Sequence, residues 1–119
     1  MVIGYDEGLS HRIEAGSDVF LMPSRFEPCG LNQLYSLRYG TVPIVNATGG
    51  LRDTVEDGVT GFVFHEATAH ALWQAIDRAL HAYADPKAWQ RLMRAGMSRD
   101  FSWEASAREY ATLYRKLLD

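Results

Sequence analysis

Basic runs, a bilayer-length apolar stretch and paired cysteines are all missing from this chain, and each absence removes a class of function. Twelve Lys and Arg stand against 15 Asp and Glu, for a net charge of −3. That balance argues against binding nucleic acid or an anionic membrane through bulk electrostatics. The longest apolar runs are far too short to span a bilayer, and no positively charged leader precedes one. The expectation is a soluble, cytoplasmic domain. Cys29 is the one cysteine. It has no internal disulfide partner and offers no zinc spacing, and a lone cysteine is more often a small core hydrophobe than a nucleophile. His11, His65, His70 and His81 show no metal spacing and read as surface or packing residues. No serine–histidine–acid set, internal repeat or low-complexity segment is evident.

What remains is enough for a fold. With 47% apolar and 12% aromatic residues, the 119-residue chain has the composition of a globular protein and the length of one domain at most. Val19 to Met22 is an apolar run without alternation, as expected of a parallel strand covered on both faces. Val42 to Val45 and Gly61 to Phe64 read the same way, with Pro43 near the start of its strand, where proline is tolerated. A weaker candidate lies at Val2 to Gly4. Between them, Asp6 caps a helix carrying Leu9 and Ile13 on one apolar face and stopped by Gly16. A second helix runs from about Gly30 to Tyr39 and ends at Gly40. Thr48-Gly49-Gly50 is a tight loop leading to a helical turn from Leu51 to Val55, and Asp57-Gly58 marks a further turn.

The last third is helical. Leu72, Ile76, Leu80 and Tyr83 recur at helical spacing. Asp85-Pro86 caps and opens a helix with Trp89, Leu92 and Met93 inward, closed by Gly96. Ser102 caps another, in which Trp103, Ala107, Tyr110, Tyr114 and Leu117 form a stripe. Such stripes pack on the sheet and on each other, or else form faces for a partner; the packing reading is preferred here. Alternating strands and helices give an α/β architecture. Only about four strands are found, fewer than the ~5–6 of an average sheet. The chain also opens on a strand pattern with no tail before it, so it reads as part of a larger protein.

In an open parallel sheet, ligands bind beyond the carboxyl ends of the strands. Two loops leave that edge. In the first, Gly30-Leu31-Asn32 opens a helix whose free amides and dipole favour an anion such as a phosphate; equally, Gly30 allows a sharp turn. Glu27, just upstream, suits sugar hydroxyls, although a solvated carboxylate or a partner for Arg25 is the simpler reading. In the second loop, Gly49 and Gly50 indicate close approach by a ligand or by another backbone.

At Pro23-Ser24-Arg25-Phe26-Glu27-Pro28-Cys29-Gly30-Leu31 the chain resembles bacterial glycogen synthases and plant starch synthases. Gln33-Leu34-Tyr35 and Thr48-Gly49-Gly50-Leu51 extend the likeness. So do Gly4-Tyr5-Asp6-Glu7, Thr60 to Phe64 and Asp100-Phe101-Ser102-Trp103. The Glu-Pro-Cys-Gly form of the loop is the specific part. Related transferases of the two-domain GT-B fold share a looser version, with a second glutamate where this chain has Tyr35.

The resemblance implies a partial Rossmann-like parallel sheet, the second half of a GT-B C-terminal domain, over residues 1–66. C-terminal helices pack on it over residues 67–119. It implies transfer of glucose from ADP-glucose to the non-reducing end of an α-1,4-glucan, with retention and with no metal or other cofactor required. Glu27 would contact hydroxyls of the donor glucose and could also stabilise charge at the reacting carbon. The backbone of Cys29, Gly30, Leu31 and Asn32 would hold the distal phosphate and sugar. Tyr5 would stack on adenine, and Gly49 and Gly50 would belong to the donor-site loop. The family's N-terminal domain, which contacts the acceptor, and the arginine and lysine that neutralise the donor diphosphate lie outside these residues. Charge-assisted hydrogen bonds of that kind contribute ~1.5–3 kcal/mol each. The isolated chain is therefore expected to bind ADP weakly, to be inactive alone, and to self-associate through its exposed sheet edges. A non-catalytic nucleotide-sugar binding or assembly module, and a UDP-glucose enzyme, are the alternatives.

Overall fold

A computed structural model describes residues 3–118. Helix α1 (Glu7–Ala15) precedes β1 (Val19–Met22), α2 (Asn32–Tyr39), β2 (Val42–Asn46), α3 (Gly49–Thr54) and β3 (Phe62–Phe64). Helices α4 (Ala69–Tyr83), α5 (Pro86–Met97) and α6 (Trp103–Lys116) follow. The strands form one parallel sheet in the order β1-β2-β3.

Local chemistry explains most of the boundaries. Asp6, Thr68, Asp85 and Ser102 each accept a hydrogen bond from an amide in the first turn of the following helix. Each thereby satisfies one of the amides a helix start leaves unpaired. Gly40 ends α2 in the left-handed region, with φ +78, as a glycine C-cap does.

β2 is the central strand and is buried along its whole length. Val42 and Ile44 face one layer with Phe62 and Phe64, where Ala75, Ala79, Trp89 and Leu92 of α4 and α5 cover them. Val45 faces the other layer with Leu51, Val55 and Val63. Pro43 fits the centre of this sheet for a reason that can be traced. The Val42 amide bonds the Asp18 carbonyl on the β1 side, so by alternation the Pro43 nitrogen turns toward β3. The β3 ladder begins only at Ile44 with Phe62, so β3 requires no N–H from Pro43 there.

Several sequence expectations change. Ile3 and Gly4 form no strand, and Val2 lies outside the described residues, so among the described residues the sheet has three strands. β1 is half-buried rather than covered, with Leu21 49% exposed, because it is an edge strand with β2 on one side only. α2 starts at Asn32, not Gly30, since Gly30 has φ +70 and stands outside the helical region. α3 begins within the expected loop, at Gly49, and β3 begins one residue later than expected, at Phe62. Gly96 does not close α5. It is buried inside the helix, where a Cβ would come within 2.9 Å of Leu37 Cδ2, so its smallness serves the α2–α5 contact.

The largest departure is α6, which contains no buried residue. Trp103 is 88% exposed and Leu117 74%, so this stripe does not pack on the sheet. No helix among the described residues is long and apolar enough to cross a membrane.

The face of α1 is also reassigned. Ile13 is exposed, and the buried residue is Glu14. Its Oε2 has no hydrogen-bond partner, and burial holds its pKa above the ordinary carboxylate value, with nearby His11 acting in the opposite direction. Because the folded-state pKa is raised, ionised Glu14 opposes folding. That penalty is absent at acid pH and grows as pH rises through the folded pKa. Glu14→Gln is therefore expected to raise the melting temperature at pH 7, with the gain fading below about pH 4. Identical melting curves for both proteins across that range would refute it.

Candidate active site

The register aligns Met22 of β1 with Val45 of β2, so β2 ends one residue beyond β1 and their loops leave the same edge of the sheet. The first loop, residues 23–31, runs back toward the second. Asn46, at the end of β2, donates from Nδ2 to the Ser24 carbonyl at 2.9 Å and so fixes the start of that loop.

The two loops then meet backbone to backbone. The Gly50 amide donates to the carbonyls of Glu27 (3.3 Å) and Pro28 (3.2 Å). A Cβ on Gly49 would fall 1.9 Å from the Glu27 carbonyl oxygen, and one on Gly50 would fall 2.4 Å from that of Cys29. Of the two readings for these glycines, approach by another backbone is the one realised.

Seven of the eight sequence-selected residues are thereby gathered at one edge: Glu27, Cys29, Gly30 and Leu31 from the first loop, Asn32 at the start of α2, and Gly49 and Gly50 at the start of α3. Tyr5 is not gathered with them. It precedes α1 and is 92% exposed. Glu27 is half-buried, and among the described residues no ion pair joins it to Arg25 or to any other cation, which removes the Arg25 reading. Cys29 is exposed, not a core hydrophobe, since it stands in the loop beyond the sheet edge. No side chain caps α2 and no acidic residue sits in its first turn, an arrangement that favours an anion at this helix start.

Behind the loop lies a set of buried polar side chains that sequence reasoning gave no role. Gln33 is fully buried and bonds the carbonyls of Cys29 and Gly30, while Thr54 bonds the Gly50 carbonyl. The available signal was an amide and a hydroxyl at inward positions of α2 and α3, where apolar residues are the norm. His11 packs edge-on against Tyr35 and Tyr39, joining α1 to α2. The cleft of about 670 Å³ beside α4, lined by His65, Glu66, His70, Gln74, Asp77 and Arg78 among others, shares no residue with these loops.

A parallel α/β unit with paired glycine loops at its carboxyl edge is the architecture of a GT-B glycosyltransferase C-terminal domain. The chain belongs to the family described as glycosyl transferases group 1, whose model matches residues 1–95. It is 64% identical over 120 residues to the glycogen synthase of Anaeromyxobacter sp. (strain K), covering 97% of this chain and 25% of that protein. It is 59% identical over 125 residues to the glycogen synthase of Marinobacter nauticus, covering 99% of this chain and 26% of that protein. The solved catalytic domain of starch synthase IV from Arabidopsis thaliana, bound to ADP and acarbose, superposes with a TM-score of 0.86. It is 44% identical, covering 97% of this chain and 25% of that one. The chain thus spans about a quarter of the length of the curated relatives it matches.

Proposed function

We propose that this chain forms the donor-side half of the active site of a glycogen or starch synthase. In this reading the enzyme is cytoplasmic and moves glucose from ADP-glucose to the 4-hydroxyl at the non-reducing end of an α-1,4-glucan. The bond from the anomeric carbon to the diphosphate breaks, the bond to the acceptor oxygen forms with retention, and ADP leaves. Neither a metal nor another cofactor takes part. Glu27 receives donor glucose hydroxyls, and the amides from Cys29 to Asn32 receive the distal phosphate. Tyr5, exposed ahead of α1, stacks on the adenine once nucleotide is bound.

The observation that carries this reading is the packing of the Glu27–Asn32 segment against Gly49 and Gly50, beside an uncapped helix start. A carboxylate and a row of free amides stand at one edge, matching a sugar and a phosphate in the same ligand. Similarity to glycogen synthases over nearly the whole chain supports the glucan acceptor. The segment 1–66 then supplies the donor site and 67–119 the helices that follow it. In this reading the diphosphate-neutralising cations and the acceptor wall come from elsewhere in the intact synthase, so residues 1–119 alone bind ADP weakly, are inactive, and self-associate along the β1 edge that is unpaired among the described residues.

Calorimetry on the intact synthase carrying these residues tests the donor. ADP and ADP-glucose are expected to bind it in preference to UDP and UDP-glucose. Absence of ADP binding overturns the donor assignment, and a preference for UDP replaces the nucleotide.

A further inference from the structure

Gln33 contacts no solvent, and its amide nitrogen lies 3.1 Å from the Cys29 carbonyl, 2.9 Å from that of Gly30 and 3.3 Å from Thr54 Oγ1. Two carbonyls converge on it, so the donor end of the amide must face them. Thr54 Oγ1 in turn donates a hydrogen bond to the Gly50 carbonyl at 2.7 Å. One side chain therefore joins the loop after β1, the helix that follows it, and α3 at the end of β2. Gln33 Oε1 has no partner. A buried amide left half-satisfied is a poor filler for a core position, so its nitrogen must serve something that an apolar residue cannot.

The orientation of the peptide planes supplies the reason. The described residues contain no cis peptide, so each carbonyl points opposite to the amide N–H of the next residue. Turning the Cys29 and Gly30 carbonyls toward Gln33 aims the N–H groups of Gly30 and Leu31 away from it. Gly30 at φ +70 followed by Leu31 in the right-handed region (φ −114, ψ −30) is the backbone pattern of an anion-binding concavity. The first-turn amides of α2 continue it.

We propose that Gln33 is a positioning residue that fixes the direction of the Gly30 and Leu31 amides toward the distal phosphate of the donor, with Thr54 holding Gln33 and α3 in one frame. The inference rests on the donor-site reading above. Gln33 touches no substrate and acts through two peptide planes.

The test compares ADP with AMP, which lacks the distal phosphate, on the intact synthase. Gln33→Met keeps the side-chain length and removes the donor. It is expected to weaken ADP binding by about tenfold or more, the weight of one charge-assisted hydrogen bond, while AMP affinity and the glucan KM stay unchanged. Thr54→Val should shift the ADP/AMP ratio in the same direction by less, and Thr54→Ser should restore it. A merely structural role lowers the melting temperature and leaves the ratio at its wild-type value, which overturns the proposal. If Gln33→Met does not fold, the same ratio in Thr54→Val decides. Wild-type protein that binds neither nucleotide removes the donor reading itself, a result distinct from an unchanged ratio.

Discussion

Glu27→Ala in the intact synthase is expected to lower turnover by about 10²–10³-fold, the usual loss when one group stabilising transition-state charge is removed. The expectation depends on how Glu27 is built into the loop. Its contacts with Gly49 and Gly50 run through its backbone carbonyl, not its side chain. Truncation at Cβ therefore leaves the loop packing and the amides after Gly30 in place. Glu27 is half-buried and has no cation partner among the described residues, so its charge is not spent on a structural ion pair there. ADP affinity should remain near wild type, because in the proposed site backbone amides hold the phosphate. Glu27→Gln separates two roles: recovery of most of the turnover indicates hydrogen bonding to sugar hydroxyls, and continued loss indicates the charge. Near-wild-type turnover in Glu27→Ala would remove this residue from the reaction.

Gly49→Ala should damage both stability and activity. A Cβ there would stand 1.9 Å from the Glu27 carbonyl oxygen and 2.9 Å from its carbonyl carbon, and Gly49 has φ +45. The left-handed backbone costs a non-glycine residue about 1–2 kcal/mol, and forced repacking about 1–3 kcal/mol more. The obstructing atoms are backbone, so relief requires moving the loop that carries Glu27. Gly58→Ala is the control, since Gly58 also has positive φ, at +72, but nothing stands within 4 Å of the added carbon. Gly58→Ala should lose only the backbone-strain part of the stability and keep full turnover. Gly49→Ala should melt well below it and, where folded, turn over at least about tenfold more slowly, as misplacement of a reacting group predicts. Equal melting temperatures and equal rates for the two variants would show that the loops do not depend on this contact.

Much of the site was legible because its signals are local. A strand of four apolar residues, a proline-rich turn, a glutamate and a glycine before a helix lie within 12 residues, Val19 to Gly30. The parallel arrangement places that turn at a binding edge. Gln33 and Thr54 were not legible as a pair, because 21 residues separate them and only the packing of α2 on α3 brings them together. The Gly49–Gly50 ambiguity had the same origin. A glycine announces close approach, but what approaches is decided by a loop some 22 residues earlier in the chain.

The sequence by itself determined the order of the elements from α1 onward, the side-chain caps Asp6, Asp85 and Ser102, the parallel α/β class and the family resemblance. Each of these rests on chemistry within a few residues or on a contiguous motif. Tertiary structure alone decided what covers each face. α4 and α5 close over the sheet, whereas α6, with a stripe of the same kind, lies uncovered. β1 is an edge strand, Glu14 takes the buried place on α1 that Ile13 was expected to hold, and Gly96 serves a helix contact instead of a helix end. Helical periodicity states that a face is apolar, but burial is a property of the surface opposite it, and that surface is assembled from distant parts of the chain.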